Sequence, residues 1–406
     1  MKNVFRASVP AFHVMLKPRG PICNLDCSYC YYLSKERLYP GSEFRMDVHL
    51  LEVLTRQYIE AQNVPEVIFT WQGGEPLLMG IEFFQRAVEL QHKYCPPGMQ
   101  IHNTLQTNGM PIDKEWCHFF RENGFLLGVS LDGPADLHDA YRRDKSGGAT
   151  SEKVMAGISL LEEHWVDFNI LTCVHAANAA HPLEVYRFLR DDIGARHIQF
   201  IPVVERDNET GYQEGNRVTD RSVQGKQYGD FLITIFDEWV QRDVGKVFVQ
   251  MFDVALAGWV GERPGLCLFD ETCGTALVME HNGDLFSCDH FVEPDHLLGN
   301  IRKSPLSKLV NSAKQRKFGS DKRDALPGFC LDCEMRFICN GGCPKNRFTE
   351  TSEGKSGLNF LCEGYKTFFM HVDPAMRFMK AELEAGRPPA NIMLNHELPR
   401  GRDEES

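Results

Sequence analysis

The sequence predicts an α/β protein: a partial (β/α)6 TIM-like barrel followed by a cysteine-rich domain that contains a β-hairpin. One observation predicts the barrel and another predicts the second domain. Six short β-rich runs alternate with longer amphipathic stretches between residue 11 and about residue 242. Such alternation is typical of parallel strands joined by right-handed helical crossovers. The second domain is predicted because helical periodicity weakens beyond residue 242 while cysteines cluster and glycine and proline become more frequent.

Each barrel element has its own signal. The predicted strands lie at 11–17, 66–71, 101–107, 126–131, 167–174 and 197–204. The predicted helices lie at about 47–62, 81–93, 113–123, 151–164, 181–192 and 220–242. Asp113 and Ser151 stand where helix N-caps belong, and Pro182 suits the first turn of the fifth helix. Because such sheets carry their chemistry in the loops after the strands, a site is expected there.

The second domain contains one well-specified element, a hairpin with strands at 276–281 and 284–291. The pair Asn282-Gly283 between them predicts a type I′ turn. An amphipathic helix is predicted around 363–385, and the tail from Gly386 to the terminal Arg-Asp-Glu-Glu-Ser is predicted to be frayed. The predicted domains are therefore 1–242, 243–375 and a tail at 376–406.

The bulk composition is that of an ordinary globular protein, with 406 residues, 43% of them hydrophobic and 25% charged. The net charge of −12 argues against a nucleic-acid partner, which would require a basic face. Residues 1–6 lack the apolar core of a signal peptide, and no run approaches the length of a membrane span. We therefore expect a cytoplasmic protein that binds neither nucleic acid nor membrane.

The fourteen cysteines indicate metal sites, because the cytoplasm keeps thiols reduced. Cys23, Cys27 and Cys30 fall within eight residues, directly after the first strand. Zinc takes four protein ligands, or three and a water, whereas an iron–sulfur cube held by three thiolates leaves one iron open. Three other cysteines stand apart and are predicted to be plain buried residues: Cys95, Cys117 and Cys173.

The C-x3-C-x-aromatic-C spacing of this triad resembles the signature of the radical S-adenosylmethionine (SAM) superfamily. The resemblance implies a 4Fe–4S cluster on the triad, whose open iron chelates the amino and carboxylate groups of SAM. It also implies a SAM contact at Gly74, in the Gly-Gly-Glu-Pro run that follows strand two. Paired glycines let the backbone approach a ligand, and a carboxylate follows to meet an ammonium group. Taken alone, the Gly-Gly-Glu-Pro run is as consistent with an ordinary tight turn as with a SAM-binding loop.

The resemblance implies four further SAM contacts. Ser130 follows strand four, and Arg142 belongs to the Tyr141-Arg142 pair; a guanidinium suits the SAM carboxylate because it can donate two parallel hydrogen bonds. The adjacent Arg143 is an alternative to Arg142. By the same resemblance Tyr29 lies along the adenine, and Val204, near the end of strand six, packs on the nucleoside.

Eight cysteines lie in the second domain, the number that two fully ligated cubes need, although two zinc sites would also use eight. Their order resembles the SPASM extension of radical SAM maturases. The resemblance implies an auxiliary cluster near the active site on Cys267, Cys273, Cys288 and Cys343. It implies an outer cluster on Cys330, Cys333, Cys339 and Cys362. The implied cofactors are therefore three 4Fe–4S clusters, with SAM as co-substrate.

From about residue 10 to residue 375 the chain resembles the anaerobic sulfatase-maturating enzymes. The runs that carry this resemblance include Met15-Leu16-Lys17-Pro18, Trp71-Gln72-Gly73-Gly74-Glu75-Pro76-Leu77, Leu105-Gln106-Thr107-Asn108-Gly109, Cys288-Asp289-His290 and Cys339-Asn340-Gly341-Gly342-Cys343-Pro344. Such enzymes oxidise one cysteine or serine of a sulfatase to Cα-formylglycine without oxygen. The resemblance implies that a 5′-deoxyadenosyl radical takes a hydrogen atom from the substrate Cβ. It also implies two partners, an unfolded or nascent sulfatase polypeptide and a flavodoxin- or ferredoxin-type electron donor.

Asp289 matches the catalytic aspartate of that family and is predicted to take the proton of the substrate hydroxyl or thiol. Taken alone, an aspartate at this position is better explained as the end of a strand than as a base. His290 is an alternative base, and Gln72 and Tyr32 are predicted to line the peptide site.

Two other functions are compatible with parts of the sequence. A SPASM maturase that crosslinks or otherwise modifies a ribosomal peptide would use the same three clusters on a different target. A non-catalytic zinc or iron–sulfur protein would use the cysteines to recognise a partner. The Gly-Gly-Glu-Pro run in register with the triad argues against this second alternative.

Overall fold

A computed structural model describes residues 11–395, and a ten-stranded sheet forms its centre. In space the strands follow the order β10-β9-β8-β1-β2-β3-β4-β5-β6-β7. Their bounds are β1 (His13–Lys17), β2 (Glu66–Trp71), β3 (Gln100–Thr107), β4 (Phe125–Ser130), β5 (Phe168–Val174), β6 (His197–Pro202), β7 (Phe248–Val249), β8 (Ala276–Glu280), β9 (Asp284–Phe286) and β10 (Leu297–Asn300). Strands β1 to β7 are parallel to one another, and β8 is parallel to β1. The hairpin is antiparallel, with β9 paired to β8 and β10 paired to β9.

Helices follow the barrel strands and continue through the second domain. Their bounds are α1 (Val48–Ala61), α2 (Ile81–Tyr94), α3 (Lys114–Glu122), α4 (Ala135–His138), α5 (Ser151–Glu163), α6 (Pro182–Arg187), α7 (Gly225–Arg242), α8 (Gln250–Val260), α9 (Leu306–Val310), α10 (Ala313–Asp324), α11 (Gly328–Leu331), α12 (Arg336–Cys339) and α13 (Cys362–Glu384). Asp113 caps α3 by accepting a hydrogen bond from the Trp116 N–H, as predicted. The N-cap of α5 is Thr150, one residue before the predicted Ser151.

The predicted fold class is confirmed: six parallel strands with helical crossovers form a partial barrel, and a hairpin domain follows. The short strand β7 is absent from the sequence prediction, because two residues give no periodic signal. The domain boundary predicted after residue 242 coincides with the end of α7, yet strands from both sides of it share one sheet. The boundary itself stays a prediction.

The hairpin differs from its prediction in the turn and in the length of its second strand. The Gly283 N–H donates to the Glu280 carbonyl, and Gly283 alone of the turn residues has a positive φ, at 93°. A type I′ turn requires positive φ at both central residues, so the predicted turn type is wrong. Strand β9 ends at Phe286, and Asp289–Phe291 form a 3₁₀ turn where strand was predicted. This turn sets the position of Asp289.

The chain returns to the barrel at its C-terminal end. Helix α13, predicted at 363–385, packs along α7, the last helix of the barrel. The prediction of a frayed tail is wrong for residues 386–395, because Pro389–Leu394 form a 3₁₀ segment on α13 in which Ile392 is 2% exposed. The terminal Arg-Asp-Glu-Glu-Ser and residues 1–6 lie outside the described residues. In the part of the chain that is described, no helix is long and apolar enough to cross a membrane.

Two hydrophobic clusters hold these parts together. The larger one runs from the barrel strands through α7 and α8 to α13. The smaller one packs Tyr32, two residues after the triad, against Val278, Phe286 and Val292 of the hairpin domain. Burial of these apolar surfaces therefore joins the loop that carries the triad to the segment that carries Asp289.

Candidate active site

The carboxyl ends of the barrel strands open into one cavity. Side chains from the ends of β1, β3, β4, β5 and β6 line it, together with the loops after β1, β2, β3, β4 and β6. The lining side chains include Lys17, Cys23, Cys27, Tyr29, Cys30, Gln72, Asn108, Ser130, Arg142, Cys173 and Val204. This is the face of a parallel barrel where chemistry is expected.

The triad thiols lie together in this cavity. Cys23, Cys27 and Cys30 all line it and are close enough that the charge of Cys30 adds to burial in raising the pKa of Cys23 and of Cys27. Burial raises the pKa of Cys23 and of Cys27 to about 12, so these thiols would hold their protons in the absence of a metal. A bound iron removes the proton from a coordinating thiol. Three thiols that converge on one cavity fit a cluster with one open iron.

Asp132 is the centre of a buried polar network beside the triad. Its side chain is fully buried and accepts from the Tyr29 hydroxyl, from the Arg142 Nε–H at 2.8 Å and from the Cys173 N–H at 2.9 Å. Burial alone would raise the pKa of Asp132, but the Arg142 guanidinium and His175 outweigh it and hold that pKa below its usual value. Asp132 therefore fixes Tyr29 and Arg142 at the cavity wall.

The predicted SAM contacts lie around this network. Ser130, Val204 and Tyr29 line the cavity and are at most 8% exposed. Because Asp132 takes the Nε edge of Arg142, two parallel hydrogen bonds to a carboxylate would come from the Nη1 and Nη2 edge. The predicted alternative, Arg143, donates instead to the Gly147 carbonyl at the exposed side of its loop. Of the two arginines, only Arg142 lines the cavity.

Gly74 also lines the cavity, but the reason that this position is a glycine is close packing against a neighbouring loop. A Cβ at this position would lie 2.1 Å from the Ile22 carbonyl oxygen. The following Glu75 is fully buried and accepts from the Thr107 hydroxyl and from the Asn108 and Leu77 N–H groups. The carboxylate therefore braces the β2 and β3 loops and does not line the cavity, contrary to the expectation that it meets an ammonium group.

Asp289 lies behind the cavity wall. Its Oδ1 is 2.7 Å from the Lys17 ammonium, and its Oδ2 accepts from the Tyr31 hydroxyl. Its side chain keeps 13% of its surface exposed. Burial alone would raise the pKa of Asp289, but the Lys17 ammonium and the Tyr31 hydroxyl hold that pKa below its usual value. The group is therefore a carboxylate, the state in which it can accept a proton.

Two further groups from the second domain line the cavity near Asp289. Burial and the Lys345 ammonium lower the pKa of His290 to about 3, which makes this imidazole a poor base. Lys345 was not predicted from the sequence; it follows Cys343 by two residues, and burial lowers its pKa. Cys173, predicted to be a plain buried residue, lies at the cavity wall beside Arg142.

The eight cysteines of the second domain fall into two groups of four. In the first group, burial raises the pKa of Cys267, Cys273 and Cys288, and the nearby charge of Cys343 raises it further. Cys288 precedes Asp289, so this group lies next to the active-site cavity. In the second group, Cys330, Cys333, Cys339 and Cys362 line a small cavity of their own. Four converging thiols in each group fit a fully ligated cube.

Two protein-family models match this chain, one in the barrel and one in the second domain. A model of the radical SAM superfamily matches residues 18–189. A model of the SPASM iron–sulfur cluster-binding domain matches residues 267–334. The first range holds the triad, and the second holds five of the eight cysteines of the second domain.

Relatives cover nearly the whole chain. A serine-type anaerobic sulfatase-maturating enzyme of Bacteroides thetaiotaomicron is 48% identical over 94% of this chain and 94% of its own length. A cysteine-type enzyme of Clostridium perfringens is 32% identical over 91% of this chain and 98% of its own length. A solved structure of native anSMEcpe with bound AdoMet and Cp18Cys peptide matches with a TM-score of 0.83 at 31% identity, over 92% of this chain and 100% of that one. The chain therefore belongs to the anaerobic sulfatase-maturating enzymes, within the radical SAM superfamily.

Proposed function

We propose that this enzyme oxidises a serine or cysteine of a sulfatase to Cα-formylglycine. The observation that carries the proposal is the position of Asp289, a carboxylate held by Lys17 and Tyr31 directly behind the wall of the cavity that the triad lines. An oxidation of this kind removes a hydrogen atom from Cβ, a proton from the hydroxyl or thiol, and one electron. In this proposal Asp289 takes the proton.

We propose that the thiol groups hold three 4Fe–4S clusters: one on the triad, one on the group that contains Cys288 and one on the group that contains Cys330. When bound, clusters and SAM supply the 5′-deoxyadenosyl radical that takes the hydrogen atom, and an acceptor for the electron. The chain supplies the rest. Arg142, Ser130, Gly74, Tyr29 and Val204 would hold SAM at the strand ends, and Asp289 would take up the proton.

The same relatives favour serine as the target residue. Those named serine-type are 48% and 39% identical to this chain, against 32% for those named cysteine-type. The product of serine oxidation is the aldehyde itself, whereas a cysteine would give a thioaldehyde that water hydrolyses with loss of sulfide. We therefore propose that the wild-type enzyme converts a serine peptide to the aldehyde.

The test is the variant Asp289→Asn, which keeps the shape of the side chain and removes its basicity. Reconstituted anaerobically and given reductant and SAM, it should still release 5′-deoxyadenosine, while aldehyde formation falls by about 100-fold or more. Mass spectrometry of two peptides that differ only in Ser or Cys measures the product. The control is Asp295→Asn, an exposed aspartate six residues later, which should behave as wild type. Full aldehyde formation by Asp289→Asn would show that Asp289 is not the base.

A further inference from the structure

Lys17 is buried to an unusual degree for a lysine, with 1% of its surface exposed. Its ammonium has three partners. It lies 2.7 Å from Asp289 Oδ1, donates to Gln72 Oε1 at 2.7 Å, and stands 4.0 Å from the centre of the Tyr32 ring. A buried ammonium is tolerated only where partners replace its water, so these contacts hold it in one place.

The backbone of Lys17 is held as firmly as its side chain. It is the last residue of β1, which pairs with β2 on one side and with β8 on the other, where Lys17 is opposite Glu280. Gln72 follows β2, and Asp289 follows β9 in the hairpin domain. Lys17 therefore links the barrel loop that lines the cavity to the segment of the second domain that carries the carboxylate.

We propose that Lys17 is a positioning residue for the oxidation, one that sets the place and direction of the Asp289 carboxylate. The inference rests on the proposed function, in which Asp289 takes the substrate proton. When bound, SAM and a cluster would take up the hydrogen atom and the electron and Asp289 would take the proton, so that Lys17 would act only by holding this carboxylate in place. Among the residues that the structure describes, Lys17 is the one cation within ion-pair distance of Asp289, so its removal would let the carboxylate turn.

The test compares Lys17→Met, which has a similar length and no charge, with Lys17→Arg, which keeps the charge. For Lys17→Met we expect full iron content and 5′-deoxyadenosine release. The amount of aldehyde formed per 5′-deoxyadenosine should fall by roughly ten- to a hundred-fold, because small displacements of a reacting group have effects of this size. The loss should appear in kcat, with the KM for the peptide little changed, and Lys17→Arg should recover part of it.

The control is Lys35→Met. Lys35 is also 1% exposed, but its ammonium donates to the Gly211 carbonyl at 2.9 Å, and within the described residues it forms no ion pair with Asp289. The Lys35→Met variant shows how much activity is lost simply because a buried lysine is removed. Its ratio of aldehyde to 5′-deoxyadenosine should stay at the wild-type value. In an Asp289→Asn background, Lys17→Met should have no further effect, since the two residues act as one unit.

Three results would overturn the proposal: a wild-type ratio for Lys17→Met, an equal loss for Lys35→Met, or an undiminished effect of Lys17→Met in the Asp289→Asn background. Should Lys17→Met not assemble its clusters, Lys17→Gln takes its place, and a wild-type ratio there has the same meaning. Failure of the proposed function would give a different result. Asp289→Asn would then form aldehyde at the wild-type rate, both with Lys17 and with Met at position 17.

Discussion

At the scale of the residue, neighbours decide the charge of the carboxylates around the cavity. Asp132 and Glu75 are both fully buried. Asp132 has the Arg142 guanidinium against it, and its pKa stays below the usual value despite burial. Glu75 has hydrogen-bond donors but no cation, and burial raises its pKa to about 7. Two residues of similar chemistry therefore differ in charge near neutral pH because one of them has an ion-pair partner.

The raised pKa of Glu75 predicts that its ionisation destabilises the fold between about pH 4.5 and pH 7. In that range the unfolded chain has lost the proton and the folded chain keeps it, so stability falls as pH rises and levels off above the folded pKa. Relative to Glu75→Gln, which does not titrate, the wild type should lose up to about 3 kcal/mol of unfolding free energy across this window. Anaerobic denaturation at pH 5, 6, 7 and 8 measures the difference; parallel curves for the two proteins would contradict the prediction.

At the scale of the element, the closest packing in the fold joins the two predicted domains. Gly364 of α13 lies against Gly225 and Gly229 of α7. The two backbones are so close that no side chain fits between them. A Cβ on Gly364 would be 2.0 Å from the Gly225 carbonyl oxygen. Because α13 begins at Cys362, a thiol of the second group, this contact also anchors that group to the barrel.

Gly364→Ala should therefore separate α7 from α13. Overpacking of this kind costs about 1–3 kcal/mol, so we expect the thermal midpoint of the anaerobic enzyme to fall by several degrees. Thr367→Ala, an exposed substitution one turn later on α13, should leave the midpoint unchanged. Equal midpoints for Gly364→Ala and wild type would mean that the helices can move apart without cost.

At the scale of the whole molecule, the thiol groups tie distant parts of the chain together. The first group draws on residues from 267 to 343, and the second on residues from 330 to 362, so the two interleave in sequence. Metal bound at such interleaved sites contributes its binding free energy to folding. The second domain should therefore depend on iron for its stability more than the barrel does.

Iron analysis checks the proposed number of clusters. The reconstituted wild type should contain about twelve iron atoms per chain, four for each cube. Replacing Cys330 and Cys333 by serine should remove about four of them, while Cys95→Ser, outside the three groups, should keep all twelve. A wild-type content of about four would leave only the triad cluster and contradict the proposal.

Much of this architecture could be predicted from the sequence, because its signals are local. Strand and helix periodicity and the triad spacing involve residues close together in the chain. The contacts of the site are not local. Lys17 meets Asp289 across 272 positions, and Asp132 accepts a hydrogen bond from Cys173 of β5 across 41 positions. No pattern in the sequence predicts such pairs, which is why Lys17, Asp132 and Lys345 received no role from sequence alone.

The sequence by itself determined the fold class, the three sets of cysteines and the family. Strand alternation and thiol spacing are patterns along the chain, so they can be recognised without the tertiary structure. Only the tertiary structure decided how the groups act. It places Glu75 within the loop packing and not at the cavity, brings Arg142 and not Arg143 to the cavity wall, lowers the pKa of His290 and sets Asp289 against a buried lysine. The physical reason is that charge state and direction depend on burial and on partners, and both are produced by contacts between residues far apart in the chain.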